Sequence, residues 1–75
     1  MHQDQGQSSE DTIFGKAYLT EKEAARFLNL TTKWFQNKRL TGDGIPFVKL
    51  GGAVRYSAKT ILQYIKEATR TNSSQ

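Results

Sequence analysis

The chain contains no cysteine, and in a protein of 75 residues this is the tightest constraint on how it can fold. Only packed side chains and hydrogen bonds are left to hold a core that is small from the outset. The same absence excludes disulfides, thiolate zinc sites and cysteine nucleophiles. A chain of this size supports one domain, with no room for a large pocket over a separate scaffold. With 36% hydrophobic residues, the large side chains must go inside, so Trp34, Phe35, Phe47 and Tyr56 are expected in the core. No run approaches the roughly 20 apolar residues needed to span a bilayer. Met1 to Glu10 has no apolar segment and does not read as a signal peptide, so a cytoplasmic protein is expected.

Composition divides the chain into three parts. Residues 1–16 are rich in Gln, Ser, Asp and Gly, with Ile13 and Phe14 as their only adjacent large apolar pair. They read as a disordered tail, with order expected only at its end. Residues 69–75 read as a second, flexible tail. Between them lies the expected domain, residues 17–68, with nine basic and four acidic side chains for a net charge of +5. Residues 1–16 carry −2, so the foldable part is more basic than the whole. That field suits a polyanionic partner, although solubility alone also selects for such charge.

Local signals place the elements. Thr20 followed by Glu23 is a capping box, with Leu19 and Ala24 in the positions of a hydrophobic staple. Ala24, Ala25, Phe27 and Leu28 give a short helix an apolar face, ending near Leu28 or Asn29. Asn29 suits a tight turn and Leu30 is expected to pack inward. Thr31 then caps a second helix through Trp34, Phe35 and Lys38. Two short helices so joined form a helix-turn-helix pattern, and the small Ala24 lets them cross closely.

Leu40 to Pro46 reads as a turn region, because Thr41-Gly42-Asp43-Gly44 suits neither helix nor central strand. Phe47–Leu50 and Ala53–Tyr56 read as two strands around the hairpin turn Gly51-Gly52. Alternation puts Val48, Leu50, Val54 and Tyr56 on apolar faces, with Lys49 and Arg55 projecting from the other. Ser57 caps a last helix with Ile61, Leu62, Ile65 and Ala68 as its stripe and Lys59, Lys66 and Glu67 on the wet side. The expected fold is α+β: a small winged helix-turn-helix, three helices with a two-stranded hairpin between the second and third.

Catalysis is not expected. The lone histidine, His2, lies in the tail, and the four acids of the folded part form no metal-like cluster. No base stands beside a nucleophile, and neither a metal nor a cofactor is implied.

With these elements placed, the sequence resembles the excisionase-like and AlpA-like helix-turn-helix family of the MerR-like winged group. The resemblance runs from about Tyr18 to Ile65. It rests on Leu19-Thr20 with Glu23-Ala24-Ala25, on Leu28-Asn29-Leu30-Thr31, and above all on Gly42 to Tyr56. It implies a regulator, or an accessory factor that steers an integrase toward excision, whose second helix enters the major groove while the hairpin touches adjacent backbone or minor groove. It implies that Thr31, Thr32, Lys33, Gln36 and Asn37 face DNA and that Lys49 and Arg55 are the basic wing positions. Asn29 stands where the family often has Gly, Trp34 where a small hydroxyl is common, and Lys38 where an aromatic is common.

The residue types fit this chemistry. Lys33, Gln36 and Asn37 share one helix face, where amides can pair with an adenine edge and Lys can reach guanine acceptors. Thr31 and Thr32 at the helix start suit one phosphate. Lys38 and Arg39 are expected to flank the groove. Gly52, with Gly51, either brings the wing tip close to the backbone or only makes the turn. Arg55 is the stronger wing candidate because its fork is planar. The expected function is sequence-specific binding of double-stranded DNA, as an excisionase or a transcription regulator of a phage or mobile element. An integrase or recombinase and self-association on DNA are the expected further contacts, with no membrane. The competing reading is a protein-interaction adaptor that docks on a phage or host protein, for which exposed aromatics, Trp34 first, would be the mark.

Overall fold

The computed structural model describes residues 12–73. In chain order they form strand β1 (Tyr18–Leu19), helix α1 (Glu21–Leu28), helix α2 (Thr32–Thr41), strands β2 (Val48–Leu50) and β3 (Ala53–Ser57), and helix α3 (Ala58–Ser73). The result is the expected α+β winged helix-turn-helix arrangement.

The predicted capping box starts α1: Thr20 Oγ1 accepts from the Glu23 backbone N–H at 3.1 Å, and Glu23 Oε1 accepts from the Thr20 N–H at 3.0 Å. Asn29 ends the helix in the left-handed region at φ 58°. Its N–H reaches the Arg26 carbonyl and the Leu30 N–H reaches that of Ala25, which together close a Schellman motif. That closure fixes Leu30 at the corner of the turn, so Leu30 is exposed rather than packed inward as expected. Thr31 caps α2 as predicted, its Oγ1 accepting from the Trp34 N–H at 3.0 Å. Ala24 is fully buried where α1 and α2 meet, consistent with the close crossing that a small residue allows.

Two elements differ from expectation. Leu40 and Thr41, expected in a turn, form the last helical residues of α2, because nothing before Gly42 breaks the helix. Gly44 then lies so close to this helix that a Cβ there would meet Lys38 Cβ at 2.4 Å. The hairpin is joined by a third strand: β1 pairs antiparallel with β3, giving the order β1-β3-β2. Two residues are too few for β1 to show strand alternation in the sequence.

The faces of the hairpin differ from expectation as well. Gly51 and Gly52 both adopt positive φ, 61° and 100°, as the predicted two-residue turn requires. This tight turn pairs Val48 with Arg55, Lys49 with Val54 and Leu50 with Ala53. Directly opposed residues share a face. Lys49 therefore lies with Val54 and Tyr56 on the inner face, and Arg55 lies with Val48 and Leu50 on the outer one. A two-residue loop pairs even positions with odd ones, so Lys49 and Arg55 cannot project together.

The core gathers Leu19, Ala24, Ala25, Phe35, Ile45, Tyr56, Ala58 and Ile61. Ile13 joins it, held by paired backbone hydrogen bonds of 2.9 Å with Lys16, so the core reaches upstream of the expected start at residue 17. The disorder expected of residues 1–11 lies outside the described residues. At the other end, α3 continues to Ser73, through most of the expected flexible tail, because no Gly or Pro follows Ala68. Its buried stripe stops at Ile65, and Ala68 is exposed. Among the described residues no helix is long and apolar enough to cross a membrane.

Candidate nucleic-acid interface

Helix α2 turns two different faces outward and inward. Phe35 is 1% exposed, with its ring 5.0 Å from both Trp34 and Tyr56 in edge-on contacts. Trp34 is half-buried against the core, whereas Phe47, expected in the core, is exposed, as are Phe14, Tyr18 and Phe27. The opposite face carries Lys33, Gln36, Asn37 and Leu40, all exposed. The predicted stripe of Lys33, Gln36 and Asn37 is thus brought together on one surface. Leu40, which sequence reasoning assigned to a loop, belongs to the same surface.

Arg39 lies beside this stripe, turned toward α1 and the sheet. Its Nη1 donates to Glu21 Oε1 at 2.5 Å and to the Tyr56 hydroxyl at 3.1 Å, and its guanidinium lies over the Phe47 ring at 5.7 Å. The hydrogen bond to Glu21, and then that to Tyr56, raises the Arg39 pKa further. Arg39 thus ties α1, α2 and the sheet together, whereas the sequence placed it at the flank of a groove. Glu21, in the first turn of α1, is the hub: its other oxygen accepts from Gln36 Nε2 at 2.7 Å. The signal was available, since Gln36 and Arg39 are one turn apart and face an acid in the first turn of the preceding helix.

Lys38 is held more loosely, 3.4 Å from Asp43 and 5.8 Å from the Trp34 ring centre. Asp43 also accepts from the Thr41 hydroxyl, and this bond, followed by Lys38, holds its carboxyl below the usual range. Lys16 pairs with Glu23. Acids of the folded region are therefore engaged with internal partners, while Lys33, Asn37 and Lys49 have no side-chain hydrogen bond or ion pair among the described residues.

At the start of α2, Thr31 uses its hydroxyl as the cap, and Thr32 is exposed beside it. The first turn holds no acid, in contrast to α1, where Glu21 and Glu23 meet the positive end of the helix dipole. On the hairpin, Lys49 is exposed on the inner face, the side of α2, and Arg55 is half-buried on the outer face with Nη1 donating to the Val54 carbonyl at 2.8 Å. A Cβ at Gly52 would meet nothing within 4 Å, so its backbone angle alone explains the glycine. The outer sheet face also exposes Tyr18, Val48 and Leu50.

A family model described as a helix-turn-helix domain matches residues 18–69, more than two thirds of the chain. No curated protein matches it.

Proposed function

The chain belongs to the helix-turn-helix domain family, which suggests DNA binding, and from that premise we propose that it binds double-stranded DNA sequence-specifically through α2. The observation that carries this reading is the outer stripe of α2, which has no acid of its own and where Lys33 and Asn37 have no side-chain partner among the described residues, beside Gln36, which is tied to Glu21. In the major groove, the Asn37 amide pairs with an adenine edge and Lys33 reaches guanine acceptors or phosphate. Gln36 is held by Glu21 through one amide hydrogen, which leaves its carbonyl and second hydrogen to face a base. Thr31 and Thr32 bring the uncompensated start of α2 to a phosphate. Lys38, Lys49 and Arg55 neutralise flanking phosphates, with Gly52 at the wing tip beside them. Arg39 contributes indirectly, by holding α2 in place.

Sequence-specific binding of this kind suits an excisionase or transcription regulator of a phage or mobile element, acting in the cytoplasm. Strand exchange would then come from an integrase or recombinase. The exposed Tyr18, Val48 and Leu50 on the outer sheet face are the surface for that enzyme or for a second copy on adjacent DNA. As an adaptor without DNA, the chain would use that same face and leave α2 idle.

Selection of duplexes by the full chain from a random pool tests the reading, followed by titration of the selected and a scrambled duplex. Asn37→Ala should weaken the selected duplex by about 1–3 kcal/mol and leave the scrambled one unchanged. Failure to enrich any sequence, or equal loss on both duplexes, would reject sequence reading by α2.

A further inference from the structure

Leu40 is 86% exposed, the most exposed large apolar side chain among the described residues. It is not at a frayed end, since Thr41 continues the helix and the Gly42 N–H closes on the Lys38 carbonyl at 2.8 Å. At about 100° per residue, Leu40 lies only about 20° from Lys33 around the helix and about 140° from the buried Phe35. It therefore stands at the centre of the outward stripe, between Gln36 and Asn37 in angle and one turn beyond both. Its neighbours on that stripe are an ammonium and two amides, with no carboxylate in α2. That surround suits a polyanion carrying a small apolar feature.

Resting on the DNA-binding reading above, we infer that Leu40 contacts the C5-methyl of a thymine in the major groove. The major groove offers one apolar group, the thymine methyl, and apolar side chains on a recognition helix read it. Helix α2 then reads two chemistries along its length: polar edges at Lys33, Gln36 and Asn37, and a methyl at Leu40. Burial of Leu40 between helix and groove floor removes apolar surface from water without breaking any hydrogen bond, which makes the contact favourable and selective against cytosine.

The test uses the full chain and the duplex it selects from a random pool. Each thymine is replaced in turn by deoxyuridine, which removes only the methyl. One replacement should weaken wild-type binding about fourfold, the worth of one buried methyl group. Leu40→Ala should bind the intact duplex at least that much more weakly and should be indifferent to uracil at that position. Its folding should be unaffected, since the side chain makes no core contact, and circular dichroism will show this. Uniform tolerance of uracil by the wild type, or unchanged uracil sensitivity in Leu40→Ala, would overturn the contact. So would a selected consensus without thymine. Loss of cooperative binding on tandem sites, with single-site affinity intact, would assign Leu40 to a second copy instead. Failure to enrich any duplex would remove the DNA reading itself and the contact with it.

Discussion

Arg39 shows how a basic side chain on the second helix of a helix-turn-helix domain can serve the fold. A guanidinium presents several donors in a fixed plane, so one residue can meet Glu21, Tyr56 and the Phe47 ring together. Charge-assisted hydrogen bonds of this partly exposed kind contribute about 1–2 kcal/mol once screening is counted. Arg39→Ala should lower stability by that amount in urea denaturation, and Arg39→Lys should recover only part, since one ammonium cannot bridge all three groups. A change below roughly 0.5 kcal/mol, within the range of ordinary surface substitutions, would return Arg39 to the solvent. Glu23 sets the acid limit. Lys16, and then the Thr20 backbone, hold its carboxyl below its ordinary value of 4.5. The fold therefore favours the ionised form: this stabilisation is fully present above that value and is lost as pH falls through the lowered folded value. Asp43 acts in the same direction through Thr41 and Lys38. The urea midpoint should stay level from neutral pH down to about 4.5 as far as Glu23 is concerned, and decline below it. Glu23→Gln should reduce that decline; an unaltered acid profile would show that the ion pair adds nothing.

At the scale of elements, much was legible because the signals were local. The capping box, the left-handed Asn29, the Thr31 cap and the Gly51-Gly52 turn each depend on residues within a few positions of one another, and each is present. Strand β1 was not legible, since two residues paired across the molecule to β3 leave no periodic trace. The outer position of Leu40 is hidden for a different reason: the turn signal of Gly42 to Gly44 masks the last helical residues that precede it. The wing was misread through register. Once the two-residue turn is fixed, Lys49 must share the Tyr56 face and Arg55 the opposite one. On the proposed placement of α2 on DNA, Lys49 becomes the stronger wing cation, because the inner face is the one that meets Arg39 and α2. Lys49→Ala should weaken binding to selected and scrambled duplexes by similar factors, and Arg55→Ala should do so less, as measured by parallel titrations at fixed salt. A larger loss for Arg55 would mean that the outer face of the sheet lies on the DNA.

For the whole molecule, the structure engages some cations with internal partners and leaves others open, and on the proposed DNA-binding reading salt dependence would follow that division. Five side chains are the sequence candidates for phosphate: Lys33, Lys38, Arg39, Lys49 and Arg55. Together they would give a slope of log affinity against log salt of about −4.5, at about −0.9 per neutralised phosphate on duplex DNA. Arg39 is held internally, which, among the described residues, leaves Lys33 and Lys49 without a side-chain partner, Lys38 loosely paired and Arg55 bonded to a backbone carbonyl. Four contacts correspond to a slope of about −3.6. The magnitude alone separates the two cases poorly, so the variants carry the decision. Lys49→Ala should make the slope shallower by about 0.9, because one counterion fewer is released. Arg39→Ala should leave the slope unchanged while lowering affinity slightly through a less firmly placed α2. Both should be measured as titrations on one duplex over a series of salt concentrations below the point where either variant unfolds. A shallower slope for Arg39→Ala would show that its guanidinium leaves Glu21 for a phosphate when DNA arrives. A slope near zero for the wild type would remove phosphate contact, and with it the placement of α2 in the groove.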